Sequence, residues 1–314
     1  MIRQLSSRLI QLVMVAWVVS TLCFVLLHSL PGDPAMRIAA GRYGPDGMSA
    51  AAAEHVRQEL GLNAPIWLQY VQSLSELLQG KLGFSLVTGE SVLSAIEHEL
   101  GHTLLLALCA WVLSLLMAIP IGLLSGWQAG SKTDQGLLAI SVLLRSVPPF
   151  IIALFLMWLF SFYLGWLPAA GSGSLAHLVL PSLTLALGLA AISNRVLRNA
   201  VATVRQQSYF RFARYKGLSN ALLLRNHTLR NASIPLVTYL AFQLIYLIEG
   251  VVVVESLFAY PGIGHALVHA IIDRDVPMLQ GTVLVMSILF VLISAVSDLL
   301  ITKINPLLGA RHAQ

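Results

Sequence analysis

The chain has 314 residues, 57% hydrophobic and only 11% charged, with a formal net charge of +5 and a mean hydropathy of +0.80. Soluble domains carry roughly 25% charged residues, so a chain this poor in charge cannot coat a globule with polar surface, and lipid has to cover much of it. Its Lys and Arg residues fall between apolar runs and form no continuous basic face, which excludes a nucleic-acid footprint, and Cys23 and Cys109 sit inside apolar runs, as small core residues do, with no sign of a disulfide, redox or metal role.

A helix needs about 20 apolar residues to cross the hydrocarbon layer. Six stretches qualify, 9–30, 103–126, 137–163, 178–197, 234–254 and 278–304, so the sequence predicts an all-α membrane protein with six transmembrane helices. The first stretch follows Arg3 and Arg8 but is too long for a secretory leader, and Pro31-Gly-Asp-Pro34 stands where a cleavage site needs small residues. Residues 1–30 are therefore read as an N-terminus and an uncleaved span. Residues 31–99 form a small external domain in which Ser49 caps a helix over 50–60 and Pro65 opens another over 66–78, with Gly80 just past its end. The fourth stretch turns polar from Ser193 onward, and a basic, aromatic loop over 198–231 follows; residues 305–314 are a tail.

Orientation follows from Lys and Arg in the loops. With the N-terminus inside the cell, thirteen of the nineteen basic residues face the cytoplasm: Arg3, Arg8, Lys132, the run from Arg195 to Arg230, Lys303 and Arg311. Five face outside, at Arg37, Arg42, Arg57, Lys81 and Arg274, and Arg145 lies within a span. Both termini are thus expected in the cytoplasm.

The cytoplasmic loop contains Tyr209, Phe210, Arg211, Phe212, Ala213, Arg214, Tyr215, Lys216 and Gly217 in succession, and later Ile234-Pro235. Physically this is a short aromatic-basic helix over 209–216 stopped by Gly217. Such a helix can lie on anionic lipid or plug into a partner protein. The spacing of Ala213, Gly217 and Ile234-Pro235 resembles the EAA loop of ABC importer permeases. Further blocks, Leu30-Pro-Gly-Asp-Pro-Ala35, Leu60-Gly-Leu-Asn-Ala-Pro65, Gly80-Lys-Leu-Gly-Phe-Ser85, Asn194-Arg-Val-Leu-Arg198, Glu255-Ser-Leu-Phe-Ala-Tyr-Pro-Gly-Ile-Gly264 and Arg274-Asp-Val-Pro277, are similar to the dipeptide, oligopeptide and nickel permeases. Lys81 departs from the usual Asp of that family, and Asn305-Pro-Leu from its usual Asp-Pro-Arg.

The resemblance implies a permease core over 100–304, a coupling helix formed by Tyr209, Phe210, Arg211, Phe212, Ala213, Arg214, Lys216 and Gly217, and alternating access driven by two separate ATPase subunits that hold ATP and Mg. It also implies a second permease chain as a heterodimer partner, a periplasmic substrate-binding protein, and residence in a bacterial inner membrane. In agreement, no G-x-x-x-x-G-K-[ST] phosphate loop occurs, so the chain is not expected to be an enzyme or to bind a cofactor.

Three features stand outside that resemblance. Counted along a straight helix, Arg145 lies ~18 Å into the third span, near the midplane, and Pro148-Pro149 directly after it break the backbone ladder and predict a kink. It is read either as facing the translocation path, where it would attract the carboxylates of a peptide or metal chelate, or as half of a structural ion pair. Pro148 is placed on the same path, and Glu249 is read as lining the external gate, binding a cation or reaching to water at the rim. Asp298 is read as a structural partner of Arg195 or Arg198. His98-Glu-Leu-Gly-His102 fits the zinc-protease pattern H-E-x-x-H, with Glu99 as base, but no third ligand stands out. His98 and His102, with His265 and His269, also suit Ni²⁺, and the loops around Trp166-Leu-Pro168 resemble the nickel branch, so nickel, free or chelated, is favoured over short peptides as cargo. An ion-driven secondary transporter would show repeated halves and midplane carboxylates, and neither is present.

Overall fold

The computed structural model describes residues 2–29, 32–33, 35–36, 38–40, 43, 49–59, 61, 63–273 and 275–304, so the tail over 305–314 lies outside the described residues, as do the side chains of Glu249 and Lys303. The chain is helical with no strand among the described residues; Phe84 and Ser91 alone form an isolated bridge. In order, the helices are α1 (Ile2–Ser29), α2 (Ala50–Glu59), α3 (Ile66–Leu78), α4 (Val92–Trp127), α5 (Lys132–Ser146), α6 (Pro149–Leu156, continued by wide π-helical turns over Met157–Tyr163), α7 (Leu175–Gln206), α8 (Ser208–Tyr215), α9 (Asn220–Leu223, continued by a π-helical run over Leu224–Leu229), α10 (Arg230–Leu257), α11 (Ile263–Ile272) and α12 (Val276–Ile304). The chain divides into two compact units, Met1–Thr103 with Pro261–Leu292, and Leu104–Tyr260 with Ile293–Gln314.

Local signals explain the ends of several helices. Ser49 accepts the Ala52 N–H at 3.1 Å and so caps α2. Pro65 precedes α3, and Gly80 closes it with φ +72°. In the first unit, Val92, Ile96, Ile263, Ala266, Ala270 and Met278 form one buried cluster. Asp275 anchors it: its buried carboxylate accepts the Ser85 hydroxyl, the Leu86 N–H and the N–H of Met278 in the first turn of α12.

The second unit is built around α7, which packs on α10, α5 and α6. Its largest apolar cluster joins Leu106, Leu156, Leu180, Leu247, Val254 and Phe258. A tight crossing sets α4 against α7: a Cβ built on Gly126 would lie 2.7 Å from the Arg198 carbonyl oxygen and from Val201, and one on Gly122 would lie 2.8 Å from the Asn194 oxygen. These glycines, four apart, are the small-residue seam that lets helix backbones approach in lipid.

Among the described residues three helices are by themselves long and apolar enough to cross a membrane, Val92–Trp127, Leu175–Gln206 and Val276–Leu300, and up to five spans result if each of two bent pairs counts as one. The apolar part of α1, Ile10–Leu26, is shorter. The third expected span carries the kink that Pro148-Pro149 predict, and more sharply than a gentle bend. It is no continuous rod, because Lys132–Ser146 and Pro149–Tyr163 meet at 102°. Tandem prolines cause this: a residue before proline is pushed out of the α region, and Val147 (ψ 127°) and Pro148 (ψ 142°) are both extended. Arg145 lies in the last turn of α5, beside this break, so the straight rise counted for it ends where the chain turns.

Replacing Gly126 by Ala is expected to destabilise the chain by at least about 1 kcal/mol, lowering the melting temperature in detergent by roughly 2–4 °C, because backbone and not a flexible side chain blocks the new methyl. Gly136→Ala on α5, where a Cβ meets nothing within 4 Å, serves as the neutral control.

Candidate functional site

The aromatic-basic segment folds as α8, one residue earlier at each end than the sequence suggests. Gly217, at φ +81°, donates to the Arg214 carbonyl at 3.0 Å and lets the chain turn away, as a helix C-terminus with a left-handed glycine does. Ser219 then starts the next helix by accepting the Leu222 N–H.

α8 has two unlike faces. Phe210, 3% exposed, and Ala213 are three apart and point inward, where they pack with Val204, Leu223, Leu218 and Trp127. Tyr209, Phe212 and Tyr215, the last 89% exposed, point outward with Arg211, Arg214 and Lys216. The Lys216 ammonium stands 4.7 Å from the centre of the Phe212 ring, so charge and aromatic surface form one patch. A short helix presenting large apolar side chains among cations, while clamped on its other face, is suited to entering a groove in another protein.

The clamp is a feature that sequence reasoning missed. Trp127, at the end of α4, meets Phe210 edge-on at 6.2 Å and carries the Arg205 guanidinium 4.7 Å from its ring centre. Just beyond, Asp134 is 1% exposed and accepts from the Ser125 hydroxyl, the Gly130 N–H at 2.8 Å, and both Nε and Nη2 of Arg198. Ser131 holds the same turn by accepting the Asp134 N–H at 3.1 Å. Two local signals point this way, the capping pattern Ser131-x-x-Asp134 and the spacing Gly122-x-x-x-Gly126, but the partner of Asp134 lies 64 residues on. Arg198, one of the two arginines that the sequence offers to Asp298, is paired with Asp134. One turn along α7, Asn194 donates to the Ser141 hydroxyl at 3.0 Å, and Ser193 donates to Gln243 of α10 at 3.3 Å. A polar ladder thus ties α5, α7 and α10 together.

Arg145 is exposed, and among the described residues it makes no hydrogen bond or ion pair. It is within electrostatic reach of Tyr239 on α10. Pro148 shares the break with it, whereas Glu249, whose side chain lies outside the described residues, cannot be joined to them. The His98 and His102 rings lie 5.0 Å apart on α4, and those of His265 and His269 4.5 Å apart on α11. Each pair is what i, i+4 spacing dictates. Among the described residues no group of three His, Cys, Asp or Glu side chains converges, so neither pair gains the third ligand that a protease or a closed metal site needs. Burial, and then the neighbouring His269, holds the His265 imidazole below its ordinary pKa, in the neutral form.

With this geometry in hand, similarity to known proteins is informative. Residues 118–309 match the family described as binding-protein-dependent transport system inner membrane component, and residues 1–107 match its N-terminal companion. A glutathione transport system permease protein, GsiC, of Pectobacterium atrosepticum is 40% identical over 308 residues, covering 98% of each chain. Its namesake in Escherichia coli K12 is 37% identical over 306 residues, again covering 98% of each. Among solved structures, an inward-facing MetNI methionine ABC transporter matches with a TM-score of 0.58 at 18% identity, over 68% of this chain and 97% of that one. An amino acid ABC transporter with histidines matches with a TM-score of 0.51 at 15% identity, over 69% and 94%. The last two speak to the fold alone.

If the Trp127 clamp holds α8 in place, Trp127→Ala should leave the bundle folded but make 208–219 several times more sensitive to limited proteolysis. Asp134→Asn, which leaves Arg198 without its counter-charge, should destabilise the whole unit by about 3 kcal/mol, read as loss of monodisperse protein on heating.

Proposed function

Because the chain belongs to the family of binding-protein-dependent transport system inner membrane components, we propose that it imports a peptide-like cargo and that α8 is where the ATPase drives it. Membership makes it a multi-pass inner-membrane permease subunit of an ABC importer, working with ATPase subunits and a substrate-binding protein, and not itself an enzyme. The zinc-protease alternative at His98–His102 is thereby set aside.

In our reading the core over 100–304 crosses the membrane with α1 to give six spans, both termini are cytoplasmic, residues 31–99 lie outside, and a second permease completes a heterodimer. ATP and Mg bind the two ATPase subunits. The observation that carries the coupling role is the division of α8 into a clamped face, Phe210 and Ala213, and an outward aromatic-basic face. Closure of the ATPase pair would move that outer face, and the clamp would pass the movement to α4 and α7.

As to cargo, relatives named for glutathione favour a short peptide over nickel. Glutathione is a tripeptide with two carboxylates, and Arg145, exposed beside the break, supplies a cation to meet one. Pro148 and Glu249 remain proposed companions on that path.

The test is uptake by proteoliposomes containing the whole transporter. Labelled glutathione or a dipeptide should accumulate with ATP, and nickel should neither accumulate nor compete; nickel uptake without peptide uptake would reverse the cargo assignment. Replacing Phe212 and Tyr215 by Ala should abolish at least nine-tenths of transport by weakening ATPase association in pull-down, with the permease still in the membrane. Arg145→Ala should cut uptake about tenfold, the loss of ~1.4 kcal/mol, at unchanged protein level; unchanged uptake would remove Arg145 from the path.

A further inference from the structure

Helix α3 carries more apolar surface than its own unit uses. At helical spacing Tyr70, Ser73 and Leu77 fall on one side, and this side meets α1: the Tyr70 and Thr21 hydroxyls are hydrogen-bonded at 2.8 Å, and the Tyr70 ring meets Phe24 edge-on at 5.2 Å. Gln69 reaches His28 of α1 at 3.4 Å. Next to that side Trp67, Val71 and Leu78 make a second apolar stripe, which no described residue of the unit covers: Trp67 is 67% and Leu78 89% exposed. Gln72, Ser75 and Glu76 occupy the remaining side, with Gln72 donating to Glu76 at 3.2 Å.

The level of the α1 contact says what covers the stripe. Thr21 lies five residues, or ~7.5 Å by helical rise, inside the apolar run Ile10–Leu26. At that level α1 itself exposes Val18, Leu22 and Val25. A helix whose Tyr70 touches Thr21 and whose adjoining face is Trp67, Val71 and Leu78 continues the same apolar surface, with a polar back turned the other way. We propose that α3 is bedded in the outer leaflet beside α1, with Trp67, Val71 and Leu78 among acyl chains and Gln72 and Glu76 in water. This rests on the reading of α1 as the first span, and it makes part of 31–99 a membrane-surface element.

The experiment uses the whole transporter in nanodiscs with Cys23 and Cys109 replaced by Ser. A nitroxide is placed in turn on Trp67→Cys, Val71→Cys, Leu78→Cys, Gln72→Cys and Glu76→Cys, and its collisions with oxygen and with water-soluble chromium oxalate are measured. The oxygen-to-chromium ratio should be several-fold higher at 67, 71 and 78 than at 72 and 76. Equal ratios would put the stripe in water, and low collision rates with both reagents would put it against the binding protein or the second permease; either overturns the proposal. In an otherwise unmodified chain, Trp67→Phe should reduce the share of tryptophan emission quenched by lipids brominated along the acyl chain, and an unchanged share overturns it equally. A wild-type complex that failed to couple ATP hydrolysis to cargo would count against the permease reading, not against these ratios.

Discussion

The second unit depends on the approach of α4 to α7. Lipid offers no hydrophobic drive for helices to associate, so contact has to come from close packing and from polar groups that find each other. Gly122 and Gly126 let the backbones meet, and at the end of that seam the Asp134 carboxylate gathers Arg198, Ser125 and the Gly130 N–H into one buried knot. A carboxylate buried so fully is tolerated only because each of its oxygens accepts more than one donor. The corner so formed carries Trp127, and Trp127 holds Phe210. The seam, the knot and the clamp make one mechanical chain from the apolar interior to the aromatic-basic face of α8.

Parts of this were legible in the amino-acid order, and the reasons are physical. Helix positions follow from apolar runs, and the caps at Ser49, Pro65 and Gly217 act over a few residues, so the sequence names them directly. The aromatic and basic residues of α8 are contiguous, and a resemblance of spacing sufficed to find them. The partner of Asp134 is 64 residues away, and no period or motif reports such a pairing. Arg198 was open to any carboxylate near the same level, and Asp298 was as reasonable on sequence as Asp134. The sharpness of the break beside Arg145 was hidden for another reason. Pro148-Pro149 signals a disturbance, but whether two prolines bend a span slightly or by 102° depends on what the second arm packs against. That arm, α6, is drawn onto α7 by Ile152, Leu156, Leu178 and Leu180.

Histidine taught a related lesson. Four imidazoles in two i, i+4 pairs are what a metal site needs in part, and also what chance places on helix surfaces. The difference lies in a third ligand brought from elsewhere in the fold, which the amino-acid order does not display. Cargo is still harder to read. A path shaped for a tripeptide and one shaped for a chelated cation can share the same cationic residue, so the relatives carry more weight than any single side chain.

The π-helical run over Leu224–Leu229 joins α8 and α9 to α10. Wide turns hold more residues per revolution than α turns, so they are under-wound relative to the helix they continue into. Tightening them would twist α10 against the clamped corner without breaking the rod, much as a torsion spring converts a push at one end into rotation at the other. A segment wound in this way, just beyond the aromatic-basic helix, can take up rotation between that helix and α10 while the helical hydrogen bonds on either side persist.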